Sequence, residues 1–177
     1  MIKNPGRRAL KHTDVRETPR ALFDELDREF GFTLDAAATN ENALCDRYYT
    51  EHGMWERGWL PDVERGRLLD DKVDGLTGSW ARHRVWCNPP FTMLQEFTDK
   101  AWTECDMAEL IVMLVPANRT DRGWWQKNVA PHVKQLGFDV RWFAERHRFT
   151  VNGGQPILNA QGKVGSPSFA CALLIWS

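Results

Sequence analysis

A chain of 177 residues with 42% hydrophobic and 27% charged side chains has the make-up of one ordinary globular domain. At that size roughly 70% of the unfolded surface is buried on folding, so neither disulfides nor a metal is required to hold the fold together. A formal net charge of -1 sets the chain apart from the strongly basic class of nucleic-acid binders. No apolar run approaches a membrane span, and the basic, polar first nineteen residues lack the apolar core of a secretory signal. A cytoplasmic protein without membrane association is expected.

Residues 1–17 show no periodicity and read as a flexible N-terminal arm preceding a single domain over 18–177. Thr18-Pro19 then reads as an N-cap followed by proline in the first helical turn, with Leu22, Phe23, Leu26 and Phe30 on one face and Gly31 as the stop. Residues 32–37 (FTLDAA) form a short apolar strand with Asp35 near its end, whereas 40–71 has no assignable pattern. Strands over 82–88, 110–116 and 138–143 alternate with helices over 92–105 and 121–132. The run LIVMLVP suits a strand covered on both faces. Residues 151–165 carry the Gly, Asn and Pro content of a long hairpin or flap, and 168–176 a final strand. The order predicts an α/β fold with a mostly parallel central sheet and a C-terminal antiparallel hairpin.

Four cysteines, Cys45, Cys87, Cys105 and Cys171, are scattered without a C-x-x-C pair, and His52 and His83 provide no ligand spacing. They read as small core hydrophobes, with no metal site. Between Arg119 and Arg148 seven Lys or Arg residues stand against three acidic ones, a run that fits either a solvated surface or a basic face for phosphates.

The apolar strand at 82–88 ends in VWCNPPF, and two prolines that cannot donate a ladder bond must stop it there. In open α/β sheets, ligands sit beyond the carboxyl ends of the strands, so both Asp35 and Asn88 would be delivered to such a crevice. One reading of Asn-Pro-Pro is a simple turn. The other is chemical: the Asn88 amide oxygen and a carbonyl held by Pro89 and Pro90 could accept both hydrogens of an NH₂ group, with Phe91 stacking on the ring that bears it. Likewise Asp35 suits either a turn carboxylate or a ligand for amino or hydroxyl groups.

NPPF resembles the D/N-P-P-Y/F/W motif of S-adenosylmethionine-dependent amino-methyltransferases. A larger set of segments is similar to the phage-type DNA N-6-adenine methyltransferase family: the stretch from Glu17 to Thr50, DGL at 74–76 with Trp80, VWCNPPF, LIVMLVPANRTD, and RHRF before the last hairpin. The resemblance implies a Rossmann-like methyltransferase fold and S-adenosyl-L-methionine as cofactor. It implies cofactor contacts at Thr18, Pro19, Phe23, Asp35, Ala36, Ala37 and Asp74, and catalytic roles for Asn88, Pro89, Pro90 and Phe91. DAAAT departs from the wider superfamily in lacking its glycine-rich loop.

On this resemblance the expected activity is methylation of adenine N6 in double-stranded DNA, on a base flipped into the pocket. A phage or prophage origin, protection from restriction, and action in a bacterial host cytoplasm follow as expectations. Arg119, Arg122, Trp125, Arg148 and the 151–165 flap are candidate DNA contacts, Trp125 fitting the core equally well. Rival readings are the same chemistry on an RNA base or a protein glutamine amide, and a binding module of the same fold without turnover. No amphipathic stretch lacks an intramolecular partner, so a monomer is expected.

Overall fold

A computed structural model describes residues 16–57, 67–158, 162–164 and 169–177. Helix α1 (Arg20–Phe30) buries Leu22, Phe23, Leu26 and Phe30 at i, i+1, i+4 and i+8, the stripe its sequence prescribes. Gly31 ends it in the left-handed region (φ 61°), its N–H bonding the Asp27 carbonyl. At the other end the N-cap is Pro19 rather than Thr18, and no side chain caps the helix. The Thr18 hydroxyl is engaged elsewhere, as described below.

The strands are β1 (Leu34–Asp35), β2 (Arg47–Thr50), β3 (Gly53–Glu56), β4 (Arg67–Asp70), β5 (Arg84–Cys87), β6 (Leu110–Pro116), β7 (Phe138–Trp142), β8 (Thr150–Val151), β9 (Gln155–Pro156) and β10 (Cys171–Trp176). Helices α2 (Leu94–Glu104) and α3 (Gly123–Asn128) lie between β5 and β6 and between β6 and β7. Among the described residues one sheet has the order β4-β3-β2-β1-β5-β6-β10-β7, and β8 and β9 form a separate hairpin.

The sheet is parallel at its centre, where β2, β1, β5 and β6 run together, and antiparallel on both flanks. The parallel centre is as expected, and the antiparallel flanks make the sheet a mixed one. The antiparallel β2-β3-β4 meander comes from the segment whose sequence carried no clear period. Tyr48, Tyr49 and Thr50 are all buried on β2, so the in/out alternation that would have announced the strand is missing. The connection from β1 to β2 holds no helix, unlike the βαβ units on the other side.

Central strands are buried on both faces, and their side chains divide with period 2. Trp86, Val112, Leu114, Leu173 and Ile175 pack with α1, while Val85, Cys87, Ile111, Met113, Val115 and Leu174 pack with Leu94, Phe97, Ala101, Trp124 and Trp125 of α2 and α3. Each fully buried large apolar side chain here contributes about 1.5–3 kcal/mol, so the helix-sheet-helix layering is the main source of stability. No helix among the described residues is long and apolar enough to cross a membrane. Cys45, Cys87 and Cys171 are buried, Cys105 partly so, and all four are free thiols. Burial pushes the Cys171 thiol up to about 12, as suits a packing residue.

Candidate active site

The chain leaves β1 toward β2 on one side of the sheet and returns to β5 on the other. This makes the junction of β1 and β5 a topological switch point, the place beyond whose strand ends open α/β sheets bind ligands. Register pairs Asp35 with Trp86, so Ala36 and Ala37 leave β1 beside Cys87 and Asn88. The Ala36 N–H still bonds the Trp86 carbonyl at 2.9 Å.

Asn88 is held from one side. Its Nδ2 donates to the Arg16 carbonyl at 2.7 Å and to the Thr18 hydroxyl at 3.1 Å, using both hydrogens. A backbone carbonyl can only accept, so the nitrogen must face Arg16 and the oxygen must face away from it. That oxygen, Oδ1, is buried and has no hydrogen-bond partner. Among the described residues the other buried side-chain atoms left unpaired are ring nitrogens of Trp55, His147 and Trp176, so Asn88 supplies the unpaired amide acceptor. Leaving such an acceptor unmatched costs about 1–3 kcal/mol, a cost that a ligand N–H would remove.

Pro89 is buried, and Pro90 (φ -52°, ψ 129°) leads into a 3₁₀ turn over Phe91–Met93, its carbonyl accepting the Met93 N–H at 2.8 Å. Phe91 is half-buried, edge-on to Phe149 (6.0 Å) and Phe169 (5.4 Å), and the Arg16 guanidinium lies over the Phe169 ring at 5.0 Å.

The acidic residues close the other side. Asp35, 3% exposed, accepts the Ala37 N–H at 3.3 Å and the Leu44 N–H at 3.1 Å, so it organises the loop after β1. Burial pushes its carboxyl up to about 6, against the lowering effect of those two N–H groups and of Arg57. Asp74 Oδ1 accepts from the Leu76 N–H, the Thr77 N–H and the Thr77 hydroxyl, forming a tight turn. That turn is pressed against β1: a Cβ on Gly75 would lie 2.0 Å from the Ala36 carbonyl oxygen, so only glycine fits. Trp80 secures it from beneath, its Nε1 donating to the Gly75 carbonyl and its N–H to Glu104, which Lys100 neutralises at 2.6 Å.

Thr18, Asp35, Ala36, Ala37, Asp74 and Asn88–Phe91 are thus brought to one edge. The edge offers acceptors, the Asn88 oxygen and the Asp74 carboxylate, and such groups fit a ligand that bears amino and hydroxyl groups, as S-adenosyl-L-methionine does. A positive charge beside Asp35 would also offset the burial that raises its pKa. Four residues depart from expectation: Ala36 is 0% exposed and Asp35 3% exposed, with one Asp35 oxygen bonded to the Ala37 N–H and the other to the Leu44 N–H, so both shape the loop from within. Phe23 is 2% exposed and packs on Phe32 and Trp86, so it supports β5 and does not line the crevice. Thr18 is 6% exposed, and its hydroxyl is spent on Asn88.

Arg119 and Arg122 are exposed on the loop leaving β6 at this same edge, and Arg148 is exposed next to Phe149, which touches Phe91. Trp125 is 6% exposed, packed on Trp124 and Trp142, so a DNA contact through its ring would require it to leave the core. Of the expected flap, the β8-β9 hairpin and a bridge from Leu158 to Val164 are present, whereas 159–161, 165–168 and the arm up to residue 15 lie outside the described residues. The arm was expected to run loose through residue 17, yet Glu17 is buried and pairs with Thr150. Sequence reasoning missed Arg16, Glu17, Phe149 and Phe169. Glu17 and Phe149 fall within the resembling segments, at the head of ETPR and the end of RHRF, but neither has a local pattern that assigns it a role.

The sequence pattern of the DNA N-6-adenine-methyltransferase (Dam) family matches residues 7–60 and 64–176. The DNA N-6-adenine-methyltransferase of Escherichia phage T1 is 28% identical over 144 residues, which cover 80% of this chain and 50% of that relative. The chain therefore spans about half the length of the curated relative it matches.

Proposed function

The chain belongs to the DNA N-6-adenine-methyltransferase family, and from that premise we propose that it transfers a methyl group from S-adenosyl-L-methionine to N6 of an adenine flipped out of double-stranded DNA. The observation that carries this reading is the Asn88 amide, anchored through its nitrogen with its oxygen buried and unpaired.

Adenine N6 is a poor nucleophile because its lone pair is delocalised into the ring. Accepting its two hydrogens at fixed positions favours the geometry in which that pair is localised on nitrogen, and stabilises the positive charge that develops there. Asn88 Oδ1 is one acceptor. The second is the Pro89 carbonyl, since the Pro90 carbonyl already receives the Met93 N–H. Phe91 offers a ring face to the base, supported edge-on by Phe149 and Phe169. When bound, S-adenosyl-L-methionine supplies the electrophilic methyl carbon. Asp74 and the backbone at Ala36 and Ala37 would hold it, Asp35 shaping that backbone from within, with Thr18 and Pro19 bordering its site.

Extrusion of the base costs a few kcal/mol, and the exposed Arg119, Arg122 and Arg148 would offset it through phosphate contacts. The fold then serves as a Rossmann-like methyltransferase scaffold. A phage or prophage role in marking DNA against restriction, inside a bacterial cytoplasm, fits the relative's source.

The test is incubation of the purified protein with radiolabelled S-adenosyl-L-methionine and, in parallel, unmethylated plasmid, RNA or protein extract. Label confined to N6-methyladenine of DNA is the expected result. Label in RNA or protein would transfer the chemistry to a different amine, and no label in any substrate would leave a binding module.

A further inference from the structure

Glu17 is a buried carboxylate, 8% exposed, that the proposed chemistry does not use. Its oxygens accept the Gly153 N–H at 3.0 and 3.1 Å and the Gly154 N–H at 3.0 Å. Its backbone also pairs with the hairpin: Glu17 N–H bonds the Thr150 carbonyl at 2.8 Å, and Thr150 N–H bonds the Glu17 carbonyl at 3.0 Å. Gly153 and Gly154 have φ +74° and +97°, a backbone that turns successive N–H groups toward one anion and that side-chain-bearing residues rarely adopt. The residues on either side of Glu17 are the two that hold Asn88, through the Arg16 carbonyl and the Thr18 hydroxyl. In an extended segment neighbouring side chains point to opposite sides. Residue 17 therefore faces the hairpin while residue 18 faces the end of β5.

We propose that Glu17 is a positioning residue, a clasp that fastens the Arg16–Thr18 segment to the β8-β9 turn and so fixes which end of the Asn88 amide faces the pocket. An amide rotated by half a turn would present its NH₂, a donor, where the reaction requires an acceptor. Arg16 and Thr18 oppose that rotation only while their own segment is held, and the hairpin is what holds it. This deepens the methyltransferase reading and rests on Asn88 being its acceptor.

The test joins a readout that needs no substrate to one that does. The Asn88 side-chain NH₂ is followed in ¹H–¹⁵N spectra, assigned by its loss in Asn88→Asp, and its hydrogen exchange is measured in the wild type, Glu17→Gln, Gly154→Ala, Thr18→Val and Thr18→Ser. Wild-type protons are expected to be protected, and the first three variants to exchange about tenfold faster, the effect of roughly one lost hydrogen bond. Thr18→Ser, which keeps the hydroxyl, should restore protection. In methyl-transfer assays Glu17→Gln and Gly154→Ala should lower kcat about tenfold and leave KM for S-adenosyl-L-methionine unchanged.

Gly154 has open space around an added Cβ, so its variant strains only the turn and keeps the test valid if the Thr18 variant unfolds. Wild-type protection and kcat in both Glu17→Gln and Gly154→Ala would overturn the clasp. A raised KM in Thr18→Val with unaltered Asn88 exchange would overturn the part given to Thr18 and return it to the cofactor. A wild type without methyl transfer, but with protection that the variants lose, would remove the methyltransferase reading and support the clasp.

Discussion

Two asparagines sit in separate polar clusters, and the difference between them is whether the amide oxygen is left buried without a partner. Between α2 and α3, Asn128 Nδ2 donates to the Thr98 hydroxyl at 2.8 Å and to Asp99 at 2.9 Å, and its backbone carbonyl receives Trp102 Nε1 at 2.8 Å. Asp99 also receives Lys127 at 2.8 Å and Gln95 at 3.2 Å. At the end of β5, Asn88 is anchored as firmly through its nitrogen, yet its oxygen meets nothing. The Asn128 network, in which no side-chain nitrogen or oxygen is both buried and unpaired, joins α2 to α3. The Asn88 network is left one donor short, the deficit on which the proposed ligand role rests.

The acids follow the same division. Burial raises Asp35 to about 6 despite its backbone N–H partners. For Asp99 burial also pushes upward, but bonds from Lys127, Asn128 and Gln95 outweigh it and hold the carboxyl below its usual range.

The comparison breaks most visibly at Asn88. Asn88→Ala should cut methyl transfer roughly 100- to 1,000-fold in single-turnover assays. Cofactor affinity by calorimetry should stay at the wild-type value, and a variant rate equal to wild type would remove the acceptor mechanism. Next in size is the pH dependence of Asp35. A carboxyl raised in the fold binds its proton more tightly there than in the unfolded chain, so its contribution to stability is greatest below about pH 4 and falls as pH rises to about 6. The stability difference between wild type and Asp35→Asn, from urea titrations, should drop by about 3 kcal/mol across that window, with the variant the less pH-sensitive of the two. A flat difference curve would show that Asp35 is already paired in a way that compensates its burial. The corresponding curve for Asp99→Asn should slope the other way.

Asn128→Ala tests the completed network. Its loss leaves Thr98 and Asp99 short of a donor, so unfolding free energy should fall by about 1–3 kcal/mol while methyl transfer per folded molecule holds. A fall in activity with stability intact would reverse the assignment of the two clusters. The smallest effect is expected at Phe91: Phe91→Ala should weaken capture of a fluorescent base in a duplex by about 1–2 kcal/mol, leaving cofactor binding in place.

Much of the architecture was legible because it is encoded by local period. The α1 stripe from Leu22 to Phe30, the apolar run of β6 and the inward Leu94, Phe97 and Ala101 of α2 all lie where their spacing puts them. The β2-β3-β4 meander was not legible, since Tyr48 and Tyr49 are both buried and no alternation survives. Trp125 illustrates a further limit, because a tryptophan reads the same in a core as on a DNA-facing loop. Glu17 lies in a segment that resembles the family, but nothing local assigns it a role, because its partners Gly153 and Gly154 lie 136 and 137 residues away.

By itself the sequence determined that a buried strand stops at Asn88, since two prolines cannot extend the ladder, and that an amide and an aromatic ring stand at that stop. The tertiary structure alone decided which end of the amide is offered. Its orientation is set by Thr18 and Arg16, 70 and 72 residues earlier. A side chain whose two ends are nearly equal in size and opposite in hydrogen bonding takes its direction from its partners, not from its neighbours in the chain.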